Sequence, residues 1–168
     1  YCEEADDWQN WLLRAVAGSP DQVQIMYGVA GERDLAEREL DWLAGYAGAR
    51  PVRVGNAASR QTQLDIYGEI ADVMEHAHRG GLAPAPRRDE LRTAFLKHLE
   101  AIWCMPDYGI WEIRGEPQHF VHSKVMAWVA FDRASRAPGV AKAQRDRCRK
   151  IAAEIHADVC AEGVDAGR

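Results

Sequence analysis

Glu112 lies in the middle of the segment PDYGIWEIRGEPQHF at residues 106–120, directly after a tryptophan. A carboxylic acid beside an aromatic ring, here that of Trp111, is one arrangement that raises a carboxyl pKa and keeps a proton for donation. The alternative is a solvated loop glutamate next to a core tryptophan, and the residue types leave both open. Residues that favour turns flank the glutamate on both sides: Pro106, Gly109, Gly115 and Pro117. They predict that Glu112 is carried by an irregular loop, where catalytic groups are often found.

A second group of polar side chains lies in the segment GNAASRQTQLDIYGE at residues 55–69. Amide and carboxylate groups at this density are suited to hydrogen-bonding the hydroxyls of a polyol such as a sugar. The same residue types also cap helices and cover exposed helix faces, so the pattern leaves a binding role and a structural role open. The polar residues concerned are Asn56, Gln61, Gln63, Asp65 and Glu69.

Histidine and serine spacing favours neither a metal site nor a nucleophilic triad. The pairs His119 with His122 and His76 with His78 are close in sequence, but no cysteine and no H-E-x-x-H pattern supports either pair. Ser123 follows a histidine without the G-x-S-x-G elbow of a serine hydrolase. The sequence therefore predicts no metal ligands and no cofactor.

Bulk composition narrows the class of protein. The 168 residues are 47% hydrophobic and 28% charged, as in an ordinary globular domain. The net charge is −5 and Lys and Arg are scattered, which argues against nucleic acid as a partner. Apolar runs are far shorter than the ~20 residues of a membrane span, so no membrane partner is expected. Four cysteines without a C-x-x-C pair indicate a reducing, cytoplasmic compartment: Cys2, Cys104, Cys148 and Cys160.

Apolar residues recur at helical spacing along most of the chain, which predicts an all-α fold. Two β-like runs, at 23–28 and 51–55, predict a small β-hairpin insertion, and the charged stretch ERDLAERELDWL between them is expected to hold a helical turn or two. The helical pattern fits a bundle and a toroid of helical hairpins equally well. Helices are expected from Trp8 to Val16, over 57–79, from Asp89 as N-cap to about Cys104, from Val121 to about Ala137, and over 141–161.

Three ordered segments resemble bacterial members of glycoside hydrolase family 15. They are QIMYGVAGERDLAERELDWLAGYAGARPVRVGNAASRQTQLDIYGEIAD (24–72), PDYGIWEIRG (106–115) and HFVHSKVMAWVAFDRA (119–134). That family contains glucoamylases, glucodextranases and certain actinobacterial trehalases. The resemblance implies part of an (α/α)6 toroid. It also implies hydrolysis of α-glucosidic bonds in a maltooligosaccharide or trehalose substrate, from the non-reducing end and with inversion of the anomeric carbon.

The resemblance implies roles for individual residues as well. Glu112 matches the glutamate of the family's G-[IL]-W-E motif and so resembles the general acid, with Trp111 as part of the sugar-binding wall. Six further residues resemble the lining or bracing of the glucose pocket: Asn56, Gln61, Gln63, Asp65, His119 and Lys124.

The family's general base has no counterpart in a motif of this chain. The resemblance therefore implies that residues 1–168 are the central portion of a single catalytic domain, expected on its own to be a poor catalyst and to self-associate as a homo-oligomer through exposed apolar faces. The alternative is a non-catalytic carbohydrate-binding or structural helical domain that keeps family sequence without the acid and base pair. A lyase or epimerase on another helical toroid is disfavoured, because the G-I-W-E loop does not belong to those families.

Overall fold

The computed structural model describes residues 2–16, 18–82 and 86–163. Helices account for most of these residues and a two-stranded antiparallel sheet lies beside them, which confirms the prediction of an all-α fold with a small hairpin. Within the described ranges the α-helices are α1 (Cys2–Ala15), α2 (Asp65–Arg79), α3 (Pro86–Ile102), α4 (Val121–Arg136) and α5 (Lys142–Glu162).

Helix α4 lies between α2 and α5, which are its main neighbours. Its buried face includes the small residues Ala127, Ala130 and Ala134, so adjacent helices can approach closely. The backbones of α2 and α4 approach each other closely at Gly68, where an added Cβ would overlap the carbonyl oxygen of Met126. Any side chain at Gly68 would therefore force α2 away from α4.

One hydrophobic core joins all five of these helices. Leu99 of α3, Phe131 of α4 and Ile155 of α5 are its most deeply buried large side chains. Tyr67 of α2 packs edge-on against Phe95 of α3, with ring centroids 5.5 Å apart. The core thereby fixes the start of α2, the end of α3 and the start of α4, which are the helix ends that carry the candidate site.

Three helices begin at other residues than the sequence predicts, and the first of them, α1, begins at Cys2 rather than at Trp8. Helix α2 begins at Asp65 rather than near residue 57, because Asn56 caps a separate 3-10 turn over Ala57–Arg60. Helix α3 begins at Pro86, so Asp89 lies in its first turn and is not the N-cap. Proline is tolerated at that end of a helix because its missing N–H needs no intrahelical partner. The predicted extents of α4 and α5 agree closely with the structure.

The predicted hairpin exists, but its first strand lies elsewhere in the chain. Strand β2 (Arg53–Val54) falls inside the predicted run 51–55 and pairs antiparallel with β1 (Arg38–Glu39). Arg53 also forms an ion pair with Glu39 at 2.9 Å across the two strands. The charged stretch ERDLAERELDWL thus supplies a strand, and the helical turn predicted there is wrong.

The run 23–28 is not a strand, which contradicts the predicted pairing. Its apolar residues Val23 and Tyr27 pack against the core instead. The Tyr27 ring meets that of Trp11 edge-on at 6.5 Å, and its hydroxyl accepts a hydrogen bond of 2.9 Å from the backbone N–H of Gln24. Alternating apolar residues here serve side-chain packing rather than a β-ladder.

Candidate active site

The residues around Glu112 form a closed loop over 107–118, which we call the acid loop. Asp107 and Gln118 pair at its base, with N···O distances of 2.9 and 2.8 Å between their backbones. Gly109 has φ 63°, and a Cβ there would lie 2.8 Å from Cδ2 of Phe120. Glycine is therefore required at this position both by its left-handed backbone and by the neighbouring ring.

Glu112 also has a left-handed backbone, with φ 50°. This conformation costs a residue with a Cβ roughly 1–2 kcal/mol. Such strain persists only where surrounding contacts hold it, and it is concentrated at functional sites. The Glu112 N–H donates to the carbonyl of Gly109 at 3.1 Å, and Asn56 Nδ2 donates to Glu112 Oε2 at 3.4 Å. The half-buried glutamate is thus turned toward the polar segment that begins at Asn56.

Trp111 is 85% exposed, so it is not the core tryptophan of the structural alternative. Ile110 beside it is also exposed, and together they place an apolar surface next to the carboxylate of Glu112. On the other side of the loop, Arg114 lies 3.8 Å from Glu37, which also pairs with Arg53 of the hairpin at 3.6 Å. The acid loop therefore presents an open aromatic ring on one side and contacts the hairpin on the other.

The start of the predicted polar segment packs directly on the acid loop. Gln61 Nε2 donates to the carbonyl of Ile113 at 2.9 Å, and the Tyr108 N–H donates to the carbonyl of Thr62 at 3.2 Å. Asn56 has two roles, because its Oδ1 also accepts a hydrogen bond of 2.9 Å from the Ala58 N–H. Asn56 and Gln61 are accordingly brought to the loop of Glu112, and each also supports the backbone.

Gln63 and Asp65 lie in a more enclosed environment. They are 5% and 4% exposed, so their polar atoms are almost out of contact with solvent in the described part of the chain. Burial raises the pKa of Asp65 above its ordinary value, an effect that His122, 3.8 Å away, partly offsets and that Asp107 increases. In this part of the chain these two side chains are therefore not offered at the surface.

His119 and Lys124 lie on a different side of α4 from Asp65. Both line a small cavity between the start of α4 and the end of α5, together with Asp158 and Glu162. The ammonium group of Lys124 is paired there with the carboxylate of Asp158. Among the described residues neither of the two forms a hydrogen bond or ion pair with Glu112, and Lys124 links α4 to α5.

Asp107 belongs to the site and is absent from the sequence-based set. It is 1% exposed, and its Oδ2 accepts a hydrogen bond of 2.8 Å from the backbone N–H of Leu64, directly before α2. No motif marks such a contact between residues far apart in sequence. The available signal was an acid directly after the helix-stopping Pro106.

Within the described ranges, no three His, Cys, Asp or Glu side chains are grouped so that they could bind a metal ion. Cys104, Cys148 and Cys160 are free thiols, and burial raises the pKa of Cys148. None of the helices in this part of the chain is both long and apolar enough to cross a membrane.

Comparison with known proteins identifies the family. The profile of Glycosyl hydrolases family 15 matches residues 1–168. The chain is 45% identical over 168 residues to a trehalase of Mycolicibacterium smegmatis, covering 96% of this chain and 25% of the relative. It is 42% identical over 173 residues to a trehalase of Mycobacterium tuberculosis, with the same coverage of 96% and 25%. A trehalase of Thermoplasma acidophilum is 38% identical over 154 residues, covering 89% of this chain and 26% of that protein.

The chain spans about a quarter of the length of these relatives. No solved structure matches it. The family profile covers all 168 residues, including the G-I-W-E loop that carries Glu112. The chain belongs to glycosyl hydrolases family 15.

Proposed function

We propose that this chain is part of the catalytic domain of an inverting glycosidase that acts on α-glucosidic bonds, with Glu112 as the general acid. The observation that carries the proposal is the conformation of Glu112 in a family 15 sequence. Its strained backbone holds the carboxylate against Asn56 and beside the open ring of Trp111. A carboxyl group beside an exposed aromatic surface is suited to protonating the oxygen of a bound sugar.

Inversion requires two carboxyl groups on opposite faces of the sugar ring, about 6.5–9.5 Å apart. In the proposed reaction, Glu112 donates its proton to the leaving glycosidic oxygen. A second carboxylate, outside these 168 residues, removes a proton from the water that attacks the anomeric carbon. The products are β-glucose and the released sugar, and Glu112 is left ionised until it is protonated again.

The proposed substrate is trehalose, because the relatives described above are named trehalases. A maltooligosaccharide is the second candidate substrate within the same reaction class. Trp111 would pack against a sugar face, and amide groups of the polar segment would hydrogen-bond its hydroxyls. The proposed substrate-contacting or supporting residues remain Asn56, Gln61, Gln63, Asp65, His119 and Lys124.

The proposal also covers the domain and the compartment to which the chain belongs. Residues 1–168 would be the central portion of one (α/α)6 toroid, and isolated from it the exposed apolar side chains Trp8 and Val125 would favour self-association. The acid and base reaction itself uses no metal or cofactor. The free thiols suit a reducing, cytoplasmic compartment.

The test combines product analysis with one substitution in the complete reading frame. Proton NMR of the initial products from trehalose, maltose and isomaltose is expected to show β-glucose from the attacked anomeric carbon, with trehalose preferred. From trehalose the leaving glucose keeps its α configuration, so β- and α-glucose should first appear in equal amounts. Glu112→Gln should lower kcat by at least about 100-fold while KM changes little, since general acid catalysis contributes about 10²–10⁴-fold. The matched control is Glu116→Gln, an exposed acid of the same loop, which should keep the wild-type kcat.

Each result has a defined meaning. Equal losses in the two variants, or an unchanged rate in Glu112→Gln, would remove Glu112 from the catalytic role. Initial release of α-glucose alone from trehalose, with β-glucose formed only later by mutarotation, would contradict inversion. No release from any of the three sugars would favour the non-catalytic carbohydrate-binding or structural domain instead.

A further inference from the structure

Asp107 connects the acid loop to the start of helix α2. Its backbone closes the loop by pairing with Gln118, so any shift of Asp107 moves the segment that carries Glu112. Its side chain reaches away from the loop, and Oδ2 accepts the N–H of Leu64 at 2.8 Å. One residue therefore controls both the closure of the loop and its attachment to the helical body.

The contact with Leu64 is chemically strong. The first N–H groups of a helix have no intrahelical acceptor, and the positive end of the helix dipole favours a negative charge there. Asp107 supplies that acceptor for α2 from a site that is 1% exposed, where water competes little. A hydrogen bond to an ionised carboxylate is also roughly twice as strong as one between neutral groups.

Three other hydrogen bonds join the polar segment to the acid loop, and all three lie nearer the surface than the Asp107 contact. Gln61 Nε2 donates to the carbonyl of Ile113 at 2.9 Å, but that bond is only partly buried and its acceptor is neutral. Tyr108 N–H to Thr62 O is 3.2 Å, Asn56 Nδ2 to Glu112 Oε2 is 3.4 Å, and both use neutral donors at the edge of the site. Glu112 keeps a left-handed backbone that an unsupported loop would relax. The position of the general acid thus depends on the best-buried link between the two segments.

We infer that Asp107 is a positioning residue for Glu112: its carboxylate holds the acid loop in register with the sugar-binding segment 56–65 by capping α2. The inference rests on the proposed role of Glu112. Asp107 does not touch substrate in this arrangement and acts through the loop. Its loss should therefore lower kcat more than it raises KM, because proton donation needs an aligned acid while sugar contacts from the polar segment remain.

The experiment measures kcat and KM for trehalose in the complete reading frame carrying Asp107→Asn or Asp107→Ala. Asparagine keeps an acceptor oxygen but loses the charge, so kcat should fall by about 3- to 10-fold. Alanine removes the acceptor, so kcat should fall by about 10- to 100-fold, with KM within about threefold of wild type in both variants. The pH dependence of kcat is also recorded for each variant. If the general acid is displaced, the limb of the profile that reports its titration should shift.

The stability control is Ile155→Val in α5, a fully buried site in the hydrophobic core. It should lower the Tm and leave kcat and its pH profile unchanged. Losses of kcat in the Asp107 variants that merely match the Ile155→Val loss would overturn the inference, as would wild-type kcat in a folded Asp107→Ala. If Asp107→Ala does not fold, Asp107→Asn decides alone, and a kcat indistinguishable from wild type overturns the inference.

Glu112→Gln measured in parallel separates the two proposals. An inactive Glu112→Gln with fully active Asp107 variants would refute the positioning role only. A fully active Glu112→Gln would refute the acid assignment and the positioning role with it.

Discussion

Replacing Gly109 by alanine tests whether the acid loop is held in one conformation by its geometry. A left-handed backbone with a Cβ costs about 1–2 kcal/mol, and Gly109 has φ 63°. The new methyl group would also lie 2.8 Å from Cδ2 and 2.9 Å from Cε2 of Phe120, and overpacking of this kind typically costs about 1–3 kcal/mol. Together the two effects should weaken the closed loop by about 2–5 kcal/mol.

The matched control is Gly115→Ala in the same loop. No atom lies within 4 Å of a Cβ built at Gly115, and its φ is not in the left-handed region. Alanine there should leave the closed loop intact or stabilise it by about 0.4–1 kcal/mol, because it restricts the unfolded chain. The two substitutions add the same methyl group and differ only in backbone conformation and neighbours.

Amide hydrogen exchange of the peptide covering residues 107–118, in the complete reading frame, measures the opening of the loop directly. A loss of about 2 kcal/mol corresponds to exchange about 30-fold faster, since about 1.4 kcal/mol is a factor of ten. We expect Gly109→Ala to reach that acceleration or the unprotected limit, and Gly115→Ala to exchange as wild type does. Equal exchange in Gly109→Ala and wild type would refute the geometric argument.

Three further substitutions give distinct expectations. Burial raises the pKa of Asp65 above 3.8, so ionisation weakens the folded state as pH rises from 3.8 through the folded pKa. Asp65→Asn should thus gain Tm over wild type at pH 7 and lose that gain near pH 3.5, and equal differences at both values would contradict this. Trp111→Ala should change the free energy of unfolding by less than about 0.5 kcal/mol, because the side chain is 85% exposed, yet raise KM for trehalose several-fold; an unchanged KM would remove it from the sugar wall. A double-mutant cycle on Lys124→Met and Asp158→Leu, followed by chemical denaturation, should give a coupling of about 1–2 kcal/mol for this half-buried ion pair, and a coupling near zero would refute its role between α4 and α5.

Local sequence pattern predicted the helices well because each buries an apolar stripe that is visible within its own residues. Helices α4 and α5 show this, with stops at Pro138 and after Glu162 that need no tertiary information. The pattern predicted strand 51–55 for the same reason. It predicted the wrong partner strand, 23–28, because strand pairing depends on contacts between residues far apart in sequence. Val23 and Tyr27 pack their side chains against the core instead.

The same distinction between local pattern and long-range contact applies to the candidate site. The loop, its glutamate and the glycine turn follow from residue types in one segment, and the polar cluster follows from another. The contact between Asp107 and Leu64 joins the two segments, and nothing in either one specifies it. The burial of Asp65 and the pairing of Lys124 with Asp158 likewise depend on which helices become neighbours.

The close packing of Gly68 on Met126 has a consequence for ligand binding. Because the backbones of α2 and α4 are in contact there, the two helices form one stiff support for the polar segment that leads into α2 at Asp65 and for the acid loop that precedes α4 at Val121. A stiff support loses little conformational entropy when a ligand arrives, since that entropy was already lost on folding. Sugar recognition by such a site should therefore leave the protection of α2 and α4 amides nearly unchanged, with any ordering confined to the side chains that meet the ligand.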